Sequence, residues 1–278
     1  MALFAKKFFL VVMLLLIGGL IRAPWEKKLN GELSAAGLLS NPPGESLREQ
    51  MGQSATLAAL GGLRSLVSIY MTLHAHDAWQ MTDWETVERD YHIITTLQPR
   101  DVDSWIKGAW HLWANASANV QLNESLPPAL REKMRQEYVD KGIVFLQQGI
   151  RNNPQAAKPW EELGFVYREK KHDYCAAAEA YRQAYARPHA SAYLVRFVGY
   201  MLAQCPGHER EAYDYLRALY DEGAIHRRLP SVIVSLKQLE EKLDIPLIQR
   251  IPDVHPDILR QERAKKREQK LPGGIRIQ

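Results

Sequence analysis

Residues 160–188 read WEELGFVYREKKHDYCAAAEAYRQAYARP. Trp160, Leu163, Gly164 and Tyr167 recur at steps of three, one and three, which gathers them on one face of a helix. Tyr174, Ala177, Tyr181 and Ala184 repeat that periodicity after the polar run REKKHD, and Pro188 then stops the second helix. The small residues have a structural job. Gly164 and Ala177 let the two helices approach closely, while the aromatics fill the space beside the contact. The stretch therefore predicts a helix-turn-helix hairpin.

Working outward, a proline followed six residues later by a large residue recurs at Pro99 to Trp105, Pro154 to Trp160 and Pro188 to Leu194. Upstream, a first helix from about Gly62 to Gln80 precedes Trp84, Val87, Tyr91, Ile94 and Pro99, a second-helix pattern. Trp105, Gly108, Ala109 and Leu112 start another unit that Gly142, Leu146, Gly149 and Pro154 complete. Between those halves lie about twenty additional residues, ASANVQLNESLPPALREKMR, with a break at Pro127 and Pro128. A fourth unit runs from Leu194 and Gly199 through Ala212, Leu216 and Leu219 to Gly223. SVIVSLKQLEEKLDI, from Ser231, has the spacing of one more amphipathic helix that caps the stack.

Taken together, W-x2-L-G-x2-Y and the residues to Pro188 resemble the tetratricopeptide (TPR) repeat, with one extra residue in the REKKHD turn and one fewer before the proline. The resemblance implies an all-α, TPR-like α-solenoid of about four units over residues 55–245. GGLRSLVSIYMTL, TTLQPRDVDSWIKGAWHLWANAS and YVDKGIVFLQQGIRNNPQ further resemble membrane-anchored bacterial TPR-like proteins without a settled biochemical role. That likeness spans about Gly61 to Ala186 and carries architecture and compartment, not active residues. Asn115 and Ser117, in WANAS, read adequately as a helix-end cap.

The ends of the chain differ from its body. Lys6 and Lys7 precede the apolar run Phe8–Ile21, so residues 1–22 read either as an uncleaved transmembrane anchor or as a cleaved signal segment. Residues 23–54 form a polar connector through Pro42 and Pro43. A short amino-terminal tail retained inside would leave the repeats outside the cytoplasm, periplasmic in a bacterium. Of the formal net charge of +4, all is accounted for by residues 256–278, with seven basic and three acidic side chains. Residues 246–278 thus read as a basic tail on a neutral body, and nucleic-acid binding is not expected.

Function is read from the first helices, which line the concave face of such a stack. Registering each unit on Met71, Trp105, Trp160 and Leu194 places His76, Trp79, Trp110, Trp113, Phe165 and Arg168 toward a protein-binding groove. The same aromatics also suit internal packing, with Trp110 and Trp113 against the neighbouring insert. Cys175 and Cys205 fall at the same end of an antiparallel helix pair, leaving open a disulfide or two buried thiols. No metal motif, phosphate loop, dinucleotide fingerprint or nucleophile elbow occurs, so no catalytic, cofactor or metal residue is assigned. The expected function is a membrane-anchored adaptor binding protein segments. The alternatives are a structural subunit of a larger membrane complex and, more remotely, an enzyme.

Overall fold

The computed structural model describes residues 62–253, together with Lys28 and Glu32. The segment read as anchor or signal, nearly all of the connector, and the tail beyond residue 253 lie outside the described residues. No helix among the described residues is long and apolar enough to cross a membrane. All regular structure among these residues is helical. Where the sequence suggests one repeat domain over 55–245, the chain divides at Asp101/Val102 into two compact units.

Over residues 62–101, the first unit is one hairpin, α1 (Arg64–Gln80) and α2 (Trp84–Leu97). Its turn places Thr82 at φ 56°, in the left-handed region, and Asp83 caps α2 by accepting a hydrogen bond from the Thr86 N–H at 3.2 Å. Val87, Tyr91, Ile93 and Ile94 bury one face of α2. Asp90 is fully buried there, and its carboxylate meets His74 Nδ1 of α1 at 2.5 Å.

The second unit starts with α3 (Val102–Trp110), which runs through a π-helical segment, His111–Ala116, into α4 (Ser117–Leu122). It returns as α5 (Pro128–Asn152), with Pro128 at the first helical position, where its missing N–H costs nothing. The twenty-residue insert therefore lengthens both arms of a hairpin rather than forming a separate lobe. Ser117 does not cap a helix end, because the chain stays helical to Leu122. Its hydroxyl donates to the Trp113 carbonyl at 2.5 Å, four residues back, beside the widened turn.

That widened turn has a packing logic. Gly142 and Gly149 on α5 are seven residues apart, two α-helical turns, and they receive the Cβ atoms of Trp113 and Trp105. The tryptophans are eight apart in sequence. A π turn takes up the additional residue and keeps both indoles over their glycines.

Four further helices follow: α6 (Lys158–Val166) with a π segment at Tyr167–Lys171, α7 (Tyr174–Tyr185), α8 (Leu194–Leu202) and α9 (Glu209–Glu222). A short α10 (Ala224–Arg227) then leads into α11 (Pro230–Lys242). The second π segment accounts for the extra residue of the REKKHD turn, which ends with His172 at φ 52° and Asp173 accepting from the Ala176 N–H at 2.9 Å. The α6/α7 turn thus repeats the Thr82–Asp83 geometry of α1/α2. Each helix packs on the next, α6 on α7, α7 on α8, α8 on α9 and α9 on α11. Tyr181, Leu194, Val198, Leu216, Val232 and Leu236 form a continuous core through these layers.

Two tethers complete the unit. Cys175, at the start of α7, is disulfide-bonded to Cys205, after α8, with the Cα atoms 4.9 Å apart. Residues 246–253, assigned to the tail from sequence, instead fold back on the body. The fully buried Glu240 carboxylate accepts from the Ile251 N–H at 2.6 Å, and Arg217 donates to the Gln249 carbonyl at 2.7 Å. Lys237 Nζ reaches the Ile251 carbonyl at 2.5 Å and Asp253 at 2.8 Å.

Candidate functional site

The face formed by α6 and α8 gathers aromatic, cationic and carboxylate side chains. Phe165 and Arg168 are three residues apart on α6 and its π extension, so they share a face. On α8, Tyr193, Phe197 and Tyr200 follow the i, i+4, i+7 pattern and form the opposing wall. The Arg168 guanidinium bridges the walls, 5.2 Å from the centre of the Phe165 ring and 5.1 Å from that of Phe197. Its Nε donates to Glu169 at 2.7 Å, which fixes the cation in place.

Around Phe197 the rings pack edge to face: Tyr193 at 5.0 Å and Tyr181 at 5.5 Å, with Tyr200 tilted at 5.8 Å. The Tyr193 hydroxyl donates to Glu161, whose other oxygen accepts from Ser191 Oγ at 3.1 Å. Burial, followed by the bond to Glu161, raises the Tyr193 pKa, and burial pushes Tyr181 up to about 12. Both phenols therefore stay protonated at neutral pH. Glu162 lies beside Glu161, and burial together with that neighbouring charge pushes its carboxyl above the usual range.

These residues enclose a cleft of about 230 Å³ lined by Glu161, Glu162, Phe165, Arg168, Tyr181, Tyr193 and Phe197. A second cleft, also about 230 Å³, follows between α8 and α11, lined by Tyr200, Gln204, Ser235, Gln238 and Lys242 among others. Tyr200 joins the two, its ring against Phe197 and its hydroxyl 2.7 Å from Ser231 Oγ. Small-molecule sites usually occupy about 300–1,000 Å³. Each cleft is nearer the size of one or two side chains.

The residues singled out from sequence fall in both units. His76 and Trp79 belong to the first unit, where their rings stack at 5.4 Å and His76 meets Gln80 at 3.0 Å. Trp110 is 42% exposed, with its ring against His111 at 5.2 Å. Trp113 does not line the surface. It is 6% exposed, seated on Gly142 beneath Phe165 at 5.6 Å and Lys170 at 5.5 Å. Phe165 and Arg168 do reach the cleft. Sequence reading missed Glu162, Tyr193, Phe197 and Tyr200, because a single register marks the same edge of every first helix. A cleft needs one edge of α6 and the facing edge of α8. The signal that could have found the second wall is the aromatic triplet at Tyr193, Phe197 and Tyr200.

No group of His, Cys, Asp and Glu side chains among the described residues is arranged to hold a metal ion. No family model matches the chain. No curated protein matches it either. Among solved structures it matches the crystal structure of MamA protein at 16% identity and a TM-score of 0.27, over 66% of this chain and 98% of that one.

Proposed function

We propose that the chain is an adaptor, a helical scaffold that holds a protein segment along the α6, α8 and α11 face of its second unit. The observation that carries this reading is the pair of side-chain-sized clefts in series, joined through Tyr200 and walled by Phe165, Phe197 and a fixed Arg168. An extended segment can place successive side chains in such clefts, with aromatic walls supplying most of the binding energy. The disulfide between α7 and α8 supports the reading, since it restrains helices that wall the cleft and so lowers the ordering cost of binding. A disulfide also suits an oxidising compartment, in keeping with repeats held outside the cytoplasm by the apolar segment at residues 1–22.

A photo-crosslinking residue at position 193 tests this, with position 185 on α7 as control; both native tyrosines are exposed, 36% and 46%. Protein captured at 193 and not at 185 is expected. Equal capture at both positions would contradict a directed binding face.

One observation favours a structural subunit as second reading. Leu63, Leu66, Ile69, Tyr70 and Leu73 are 47–64% exposed along α1, an apolar stripe of the kind that a permanent assembly covers. Protection of that stripe in isolated membranes, with none on α8, would favour the subunit over the adaptor.

A further inference from the structure

The charges inside the α6/α8 cleft do not balance. Its lining contributes two carboxylates, Glu161 and Glu162, and one cation, Arg168. The cation is already committed, paired to Glu169 at 2.7 Å and held between two phenyl rings. Among the described residues Glu161 is held by hydroxyls alone, those of Ser191 and Tyr193, which orient it without neutralising it. Glu162 makes no hydrogen bond or ion pair among the described residues, although it is half-buried and lines the cavity. A partly desolvated carboxylate beside a second one is stabilised most by a cation that enters from outside. The rings of Tyr193 and Phe197 line the same space and supply an apolar wall for the stem of a long side chain.

Resting on the adaptor reading, we propose that this cleft is a socket for one basic side chain of the bound segment, with Glu162 as its carboxylate partner. The partner is thus a protein segment carrying an arginine or lysine at the position seated between α6 and α8. The small volume suits one long side chain and excludes a cofactor-sized group. Arg168 takes no part in the pairing; it props the walls apart and keeps the Phe165 and Phe197 rings in register.

The test uses butylguanidinium as the side-chain probe, with butylurea as its neutral counterpart, titrated into the full chain and followed by amide shifts in NMR. Saturable shifts confined to Glu161, Glu162, Tyr193 and Phe197 are expected with butylguanidinium and not with butylurea. Glu162→Gln, close in shape and free of the local repulsion, should keep the fold and weaken the probe about tenfold or more, the loss expected for a charged hydrogen bond. Equal shifts from both probes, or unaltered binding to Glu162→Gln, would overturn the socket. A second variant, Phe197→Leu, should weaken butylguanidinium, and butylurea should still give no saturable shift. Crosslinking at position 193 separates the two levels. Captured partners that show no dependence on Glu162 would overturn the socket and leave the adaptor, while a charge-selective cleft with no captured protein would support the socket and count against the adaptor.

Discussion

Gly142→Ala probes the close contact on which the α3/α5 hairpin depends. A Cβ at position 142 would lie 2.7 Å from Trp113 Cβ, 3.1 Å from the Ala109 carbonyl oxygen and 3.1 Å from the Trp113 amide nitrogen. Carbon atoms pack best at about 3.5–4.0 Å, so the two helices must part by about 1 Å. None of the three atoms is the far end of a flexible side chain, so rotamer changes cannot relieve the contact. Overpacking of this kind costs about 1–3 kcal/mol, and alanine returns up to about 1 kcal/mol through helix propensity. Contact with a Cβ and two backbone atoms puts the cost in the upper part of that range, about 2–3 kcal/mol, so the expected net loss is about 1–2 kcal/mol. For a body of this size that lowers Tm by about 2–8 °C, read by thermal melts followed by circular dichroism. Gly223→Ala is the control, with extended backbone at φ −179° and no atom within 4 Å of the added carbon. It should change stability by less than about 0.5 kcal/mol. A Gly142→Ala protein as stable as the parent, with an unaffected control, would refute the close seating of Trp113 on α5.

Other expectations follow from the same structure. Cys175 and Cys205 are 30 residues apart, and closing such a loop contributes about 2–4 kcal/mol, so the Cys175→Ser/Cys205→Ser protein should melt well below the parent and the unreduced, denatured parent should show no free thiol. Glu162→Gln should raise Tm at pH 7.5, because a carboxyl whose folded pKa lies above its usual value opposes folding while ionised; the advantage should shrink as pH falls through that raised folded pKa and vanish below the ordinary value of 4.5, where the acid is protonated folded or unfolded. A Tm gain that persists unchanged at pH 4 would contradict the desolvation of that side chain. Glu240→Ala removes the acceptor of the Ile251 N–H and should cost about 2–3 kcal/mol, with faster proteolysis within residues 244–253 as the readout.

The hairpins were legible because helix packing writes itself into local spacing. Gly164 faces Tyr181 and Gly199 faces Leu216 at the helix contacts, so a glycine on α6 and on α8 marks where the partner helix crosses. The π segments were not legible. An extra residue in REKKHD, or eight residues between Trp105 and Trp113, reads locally as an irregularity, and only the opposing helix shows that a widened turn absorbs it. The same applies to Glu240. An acidic residue in LEEK reads as a solvated position, yet the returning chain buries it and supplies the Ile251 amide. The candidate site was half readable, since Phe165 and Arg168 lie on the edge that the repeat register selects. Its other wall belongs to α8 and depends on which edge of that helix turns toward α6.

Backbone amide exchange across the described residues, with and without a partner captured at position 193, tests the adaptor most directly. Protection concentrated in residues 161–168 and 193–204, covering both walls of the cleft, is the predicted result. Protection confined to residues 63–73 of α1, with α6 and α8 unchanged, would contradict it.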